Sequence, residues 1–112
     1  MHSDLRPVMV STTCSKREDG LEIAKAVLEK RLAACVQVCA QMTSMYWWQN
    51  KIAEDTEYLI TMKSDRVLFE KLTRAIRSVH PYEVPEIIAV DIAAVAEDYG
   101  RWMGEELSYE ND

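Results

Sequence analysis

The sequence predicts an α+β domain whose elements follow the order β-α-β-β-α-β, with one further helix at the C-terminus. Apolar and polar residues alternate from residue 36 to 48, which is the period of a half-buried strand. A helical stripe of apolar residues follows further along the chain, at Leu68, Leu72, Ala75, Ile76 and Val79. Apolar, β-branched segments at residues 8–13 and 87–92 enclose these elements. This order is typical of the ferredoxin-like split βαβ pattern, an antiparallel four-stranded sheet with helices on one face.

The first helix is expected to begin near Lys16, directly after the first strand. Ser15 and Glu18 have the spacing of a capping box, in which each side chain bonds to a free backbone N–H group. Four apolar residues at helical spacing are expected to form the face that packs on the sheet: Leu21, Ala24, Leu28 and Leu32.

The second and third strands are expected to form a long hairpin that turns at Gln49-Asn50. Residues 36–48 would extend about 43 Å at ~3.3 Å per residue, while a compact chain of this length is roughly 30–35 Å across. The distal part must therefore overhang, or a bulge near residues 41–44 must fold it back onto its own core. An overhang exposes apolar side chains and an unpaired strand edge, so the sequence favours a homo-oligomer built through the hairpin of residues 36–63.

The second half of the chain has simple boundary signals. Ser64 or Asp65 is expected to cap the second helix, and Pro81 to end it. Residues 87–92 are nearly all apolar, which predicts a central strand covered on both faces. Asp98 is expected to cap a short last helix, and the acidic tail of residues 105–112 to fray.

Length and charge limit the classes of function. The 112 residues are expected to form a single domain with an ordered core at about residues 7–108. A formal net charge of −6 argues against general nucleic-acid binding, which requires a basic surface. The sequence has no apolar run of ~18–20 residues and no signal-peptide pattern, so we expect a cytoplasmic protein that does not bind membranes.

Three cysteines, Cys14, Cys35 and Cys39, occur without a C-x-x-C pair. Reduced thiols that pack as small apolar residues are favoured over a disulfide or a zinc site, because the spacing fits no common ligand pattern.

Residues 80–86, which we call the His80 link, carry the densest group of functional side chains. The segment reads HPYEVPE and places an imidazole, a phenol and two carboxylates between two prolines. Each proline disfavours the α conformation in the residue before it, so His80 and Val84 are expected to be extended. A stiff, non-helical link is a common way to present a binding site.

The sequence resembles the CutA family, also known as divalent-cation tolerance proteins. The resemblance extends from Val8 to Trp102 and rests on six segments in order: Thr12-Thr13-Cys14, residues 32–36, Ser44-x-Tyr46-x-Trp48, the strand with Glu57 and Lys63, the His80 link, and Tyr99-x-x-Trp102. It implies a ferredoxin-like homotrimer that pairs its hairpins edge to edge and functions in tolerance to copper and other divalent cations. A trimer of this shape is also similar to PII-type signalling proteins.

The resemblance also implies where a metal could bind. Bacterial members hold copper with a cysteine at the end of the first strand and two adjacent histidines at the end of the second helix. The corresponding residues here are Thr12, Val79 and His80, so only His80 keeps a ligand, and Cys14 could replace the missing cysteine. His80 and Cys14 would give a weak site for Cu(II) or another divalent cation, with no obligatory cofactor. The alternative is that His80 only caps the helix.

A second possible site is a cleft between subunits. Six residues are candidates for its lining: Tyr46, Trp48, Lys63, Tyr82, Glu83 and Glu86. The alternative is that the aromatic residues pack in an interface and that Lys63 forms a salt bridge with Glu86. The sequence places no nucleophile beside a base, so we do not expect an enzyme. The predicted function is divalent-cation tolerance by weak metal binding; the alternative is a small-ligand sensor or a structural scaffold.

Overall fold

The computed structural model describes residues 4–110, and its elements follow the predicted order. They are β1 (Pro7–Cys14), α1 (Arg17–Glu29), β2 (Cys35–Trp48), β3 (Lys51–Asp65), a 3-10 turn (Arg66–Leu68), α2 (Phe69–Val79), β4 (Ile88–Asp91) and α3 (Glu97–Glu106). Among the described residues no helix is both long enough and apolar enough to cross a bilayer.

The four strands form one antiparallel sheet in the order β2-β3-β1-β4. In β1, Val8 and Val10 face the helices, and they pair with Ser64 and Met62 of β3. Helices α1 and α2 pack beside each other on this face, which we call the helix face. The core lies between the helices and the sheet and includes Val8, Val10, Ile23, Val27, Ile60, Met62, Leu72 and Ile76. The predicted α+β ferredoxin-like fold is therefore confirmed.

Helix α1 differs from the sequence prediction at its start and in its buried face. Lys16 is the N-cap, and no side chain caps the helix, so the Ser15–Glu18 capping box does not form. The buried residues of the helix are Gly20, Ile23 and Val27, whereas Leu21 and Leu28 are exposed. Leu32 is buried as expected but lies beyond the end of α1 at Glu29. Gly20 lets the helix approach the sheet closely, because a Cβ there would lie 3.2 Å from Cγ1 of Ile60. This contact sets the rotation of the helix, and helical spacing alone could not reveal it.

Strand β4 is an edge strand, so the prediction of a central, covered strand was wrong. It is four residues long and pairs only with β1, whose other side is taken by β3. Ile88 and Val90 are 49% and 52% exposed, and their register with Ser11 and Met9 places them on the face away from the helices. The apolar sequence of β4 thus produces an exposed apolar strip and not a covered one.

The C-terminal segment is also more ordered than predicted. Helix α3 has Ala96 as its N-cap, so Asp98 lies in the first turn and does not cap the helix. After the helix, Leu107 is buried, the Ser108 N–H group donates to the carbonyl oxygen of Arg31, and the Tyr109 hydroxyl donates to Oδ2 of Asp65 at 2.7 Å. These long-range contacts hold residues 107–110, so fraying from residue 105 is wrong for this part. Residues 111 and 112 lie outside the described residues.

The β2–β3 hairpin extends well beyond the core. The register shifts between Val38 and Gln41, and the hairpin ends in a two-residue turn in which Gln49 and Asn50 both have positive φ. The molecule measures 46 × 28 × 23 Å along its principal axes. The distal side chains remain exposed, Trp47 to 73% and Ile52 to 62%. The bulge therefore does not fold the tip back onto its own core, and the overhang is real.

Candidate ligand site at the His80 link

The His80 link begins where α2 ends, at the end of the sheet that contains the C-terminus of β1. The His80 N–H group donates to the carbonyl oxygen of Ile76 at 2.9 Å and closes the last turn of α2. The backbone then becomes extended at His80, with φ −76° and ψ 133°, as the following proline predicts. This change of direction turns the His80 side chain toward the end of β1.

Both ring nitrogens of His80 are bonded to the backbone. Nε2 lies 2.8 Å from the carbonyl oxygen of Thr13, which can only accept, so Nε2 carries the proton. Nδ1 accepts a hydrogen bond from the N–H group of Tyr82 at 3.1 Å. The ring is therefore a neutral Nε2–H tautomer. Burial lowers the pKa of His80, and this effect is partly opposed by the bond to Thr13 and by the nearby carboxylates of Asp19 and Glu57.

Tyr82 connects the link to a buried carboxylate. Its hydroxyl donates to Oε2 of Glu57 at 2.6 Å, and its ring lies 4.8 Å from the His80 ring, centroid to centroid. Glu57 is buried at the point where the hairpin leaves the sheet. Burial and then the bond to Glu57 raise the pKa of Tyr82 far above its ordinary value, so the phenol remains a donor. The sequence placed Glu57 in a family segment but did not identify it as a site residue.

Cys14, the last residue of β1, is buried beside this network. Its Sγ atom donates to the carbonyl oxygen of Lys16 at 3.2 Å. Burial is the main reason that its pKa is raised, and the negative charge of Asp19 adds to the effect. Because a thiol must lose its proton to bind a metal, this environment opposes metal binding at ordinary pH.

These residues do not form a ready-made metal site. Among residues 4–110 no group of three His, Cys, Asp or Glu side chains is placed to hold an ion. In this conformation His80 has no free nitrogen, and Cys14 is a protonated, buried thiol. Metal binding by His80 and Cys14 stays a prediction, and it requires at least one backbone hydrogen bond of His80 to break.

The six predicted cleft residues are not brought together within one chain. Lys63 donates to Oε1 of Gln37 and lies six residues from Glu57 along β3, which corresponds to ~20 Å. Tyr46 donates to Oδ2 of Asp55 on the distal hairpin, and Trp48 lies exposed next to the turn. Glu83 and Glu86 are exposed on the link, and within this chain Lys63 bonds to Gln37, so a pairing of Lys63 with Glu86 stays a prediction. Only Tyr82 contacts His80, and a shared cleft would need side chains from another copy.

The fold and the link define a class: small α+β chains with a ferredoxin-like sheet, an overhanging hairpin and a proline-bounded link after the second helix. The sequence pattern of the CutA1 divalent ion tolerance protein family matches residues 8–106, so the chain belongs to this family.

Similar proteins come from several branches of life. Protein CutA of Mus musculus is 47% identical over 91 residues, which is 81% of this chain and 51% of the mouse protein. The chain thus spans about half the length of this mammalian relative. The divalent-cation tolerance protein CutA of Thermus thermophilus is 41% identical over 97 residues, and the match covers 87% of this chain and 94% of that protein.

Solved structures share the fold over nearly the whole chain. CutA1 from Oryza sativa superposes with a TM-score of 0.92 at 29% identity and covers 97% of this chain and 100% of its own. A protein from Archaeoglobus fulgidus, described as the periplasmic divalent cation tolerance protein CutA, has a TM-score of 0.87 at 29% identity and covers 91% of this chain and 99% of its own.

Proposed function

We propose that this protein acts in divalent-cation tolerance as a homotrimer that binds cations weakly at the His80 link. Family membership supports the general role. The observation that carries the finer proposal is the state of His80, whose two ring nitrogens are both held by backbone groups. A cation can bind to His80 only by displacing one of these hydrogen bonds, which lowers the affinity for the cation. Copper or another divalent cation would also have few protein ligands at this position.

The assembly is supported by the two open edges of the sheet. The order β2-β3-β1-β4 leaves the outer edges of β2 and β4 without a partner strand in the described part of the chain. Both edges carry exposed apolar side chains, including Trp47 and Trp48 on β2 and Ile88 and Val90 on β4. Pairing β2 of one copy with β4 of the next would use both edges and close a ring.

Titration of Cu(II) and Zn(II) by calorimetry tests the metal proposal. We expect dissociation constants of roughly 10 μM or weaker for the wild-type protein, because the preformed ligand set is so small. His80→Gln keeps a donor near Thr13 and should reduce binding further, while Cys14→Ser should reduce it only if the thiol is a ligand. Unchanged binding in His80→Gln would remove His80 from the site, and nanomolar affinity would contradict weak binding.

A small-ligand sensor or structural scaffold is the second candidate, favoured by the buried Glu57 carboxylate and the Tyr82 hydroxyl at the hairpin base. If no cation binds below millimolar concentration, this second function gains support. The cytoplasm remains the proposed compartment.

A further inference from the structure

A groove lies on the helix face of the sheet, between edge strand β4 and the start of α2. Its volume is about 640 Å³, within the range of small-molecule sites in proteins. Four apolar residues line it, Val8, Val67, Phe69 and Ala89, and we call this apolar part of the lining its floor. Because Ala89 pairs with Val10 and Asp91 with Val8, this side of β4 faces the helices, opposite to the exposed Ile88 and Val90. The groove is thus separate from the apolar strip assigned above to assembly.

The walls of the groove are rich in cations. Arg66, Lys71 and Arg74 line it together with the acidic residues Glu70 and Asp91. Three positive and two negative groups leave a local charge of +1, on a chain whose formal net charge is −6. A locally basic groove on an acidic protein attracts small anions, while the rest of the surface repels them.

Both arginines are exposed and therefore accessible to a ligand. Arg66 pairs with Asp91 at 3.8 Å, but both side chains are more than half exposed, so this contact holds Arg66 weakly. Arg74 is exposed and forms no ion pair with any residue from 4 to 110, whereas Lys71 donates to the carbonyl oxygen of Glu110. Planar guanidinium groups bind phosphate through two parallel hydrogen bonds, which a lysine cannot match.

The groove is also distant from the His80 link. Its floor includes Val8, near the start of β1, whereas His80 contacts Thr13, near the end of the same strand. Five residues of extended strand separate the two positions by ~17 Å. A ligand in the groove therefore does not touch the His80 network.

We propose that this groove binds a small phosphate-bearing molecule with an apolar body. Arg66 and Arg74 bind the phosphate oxygens, and the apolar body lies on Phe69, Val8 and Ala89. The charge of the walls selects the anion, and the apolar floor selects a molecule larger than phosphate itself.

Amide NMR titrations of the full chain with three probes test this inference. Phenyl phosphate carries both features, inorganic phosphate carries only the charge, and phenol carries only the apolar ring. We expect phenyl phosphate to bind at least about fivefold more tightly than either partial probe. Its shifts should be confined to residue 8 and to residues 66–74 and 89–91. Equal affinity for inorganic phosphate, or shifts spread over the whole chain, would overturn the proposal.

Charge-changing variants locate the binding group. Arg74→Glu should weaken phenyl phosphate binding at least about tenfold. Arg77→Glu is a matched control, since Arg77 is an exposed arginine on the same helix outside the groove. Asp91→Asn should tighten binding a few fold, because it removes an acid and releases Arg66. If Arg77→Glu weakens binding as much as Arg74→Glu, only the general charge of the protein matters and the inference fails.

The test is independent of the metal proposal. It uses no divalent cation, and His80→Gln should leave phenyl phosphate binding unchanged. Both arginine variants alter exposed side chains, so matching melting temperatures are expected and exclude unfolding as the cause. Loss of phenyl phosphate binding in a folded His80→Gln protein would contradict a separate site.

Discussion

At the scale of single residues, His80 and Tyr82 show how hydrogen-bond partners determine what a side chain can do. The sequence presents an imidazole and a phenol on an exposed-looking link, yet His80 is buried against Thr13 and Tyr82 is bonded to Glu57. Both side chains thereby join the link to the end of the sheet. The hydrogen bonds of His80 and Tyr82 stabilise the fold, and a ligand that binds either side chain must break at least one of them.

The lowered pKa of His80 predicts a specific loss of stability in acid. In the unfolded chain His80 has its ordinary pKa of 6.5, and in the folded protein the value is lower. Between these two pKa values the unfolded chain binds more protons than the folded protein does. The free energy of unfolding therefore falls as the pH decreases below about 6.5, and His80 causes no further fall below the pKa of the folded state. Urea unfolding at pH about 7.5 and about 5 should show a larger loss for wild type than for His80→Gln. Equal losses would mean that His80 is not buried as a neutral ring.

The bond between Tyr82 and Glu57 predicts a second effect on stability. Tyr82→Phe leaves the buried Glu57 carboxylate without this donor and should lower the free energy of unfolding by about 1–3 kcal/mol. Tyr46→Phe is the matched control, because Tyr46 donates to the exposed Asp55 and should cost less than about 0.5 kcal/mol. Urea unfolding measures both. If both variants lower the free energy of unfolding by a similar amount, burial of Glu57 does not strengthen its hydrogen bond with Tyr82.

At the scale of elements, the close approach of α1 to the sheet depends on the absence of one side chain. At Gly20 an added Cβ would lie 3.2 and 3.3 Å from the Cγ1 and Cδ1 atoms of Ile60 and 3.4 Å from Sγ of Cys14. Ile60 and Cys14 are fully buried, so they have little room to move. Gly20 has a low helix propensity and weakens α1, but its missing side chain allows α1 to pack closely on the sheet.

Two glycine-to-alanine substitutions separate propensity from packing. Gly20→Ala should destabilise the protein by about 1–2 kcal/mol, because the packing strain exceeds the gain in helix propensity. Gly100→Ala, in α3, should stabilise it by about 0.5–1 kcal/mol, since the nearest atom to its Cβ is Cγ1 of Val95 at 3.6 Å. Thermal unfolding gives the sign of each change. A stabilising Gly20→Ala would show that α1 can move away from β3 at little cost.

At the scale of the whole molecule, the long hairpin and the short edge strand leave large apolar side chains exposed to solvent. The molecule is 46 Å long, and large apolar side chains along the distal hairpin and on β4 are in contact with solvent. Burial of such side chains contributes about 25 cal/mol per Å² of apolar area, so association of copies is the simplest way to stabilise them.

Light scattering of two variants tests the assembly. Wild type at micromolar concentration should have about three times the mass of one chain. Replacing Trp47 and Ile52 together by glutamate should reduce the mass toward that of one chain, because charges would be buried in the interface. Leu21→Glu is the matched control, since Leu21 is exposed but lies on α1 and on neither the hairpin nor the His80 link. A wild-type monomer, or a trimer in the double variant, would contradict assembly through the hairpin.

Prediction from sequence was most successful where the signal is local. Pro81 acts on its immediate neighbour, so the extended backbone of His80 was predicted correctly. The turn at Gln49-Asn50 was also correct. Of the predicted apolar stripe, Leu68, Leu72, Ala75 and Ile76 are buried, whereas Val79 is exposed. These features depend on residues a few positions apart, whose effects do not require knowledge of the rest of the fold.

The errors concern contacts between distant residues. Apolar composition cannot say whether β4 is central or at the edge, because this depends on which strand occupies the other side of β1. The tail was predicted to fray because it is acidic, whereas its bonds to Arg31 and Asp65 cross more than 40 residues of sequence and leave no local signal. In the candidate site, His80 was identified, but its bond to Thr13 and the role of Glu57 could not be, since each partner lies on another element.

Patterns along the chain specify the element order, the overhanging hairpin, the proline-bounded link at His80 and the family. The buried face of α1, the position of β4 and the hydrogen bonds of His80 follow only from the folded arrangement. Hydrogen bonds and close packing between distant residues set these features, and a linear pattern contains no such distances. The same distances reveal the basic groove beside α2, which is formed by residues from β1, the 3-10 turn, α2 and β4.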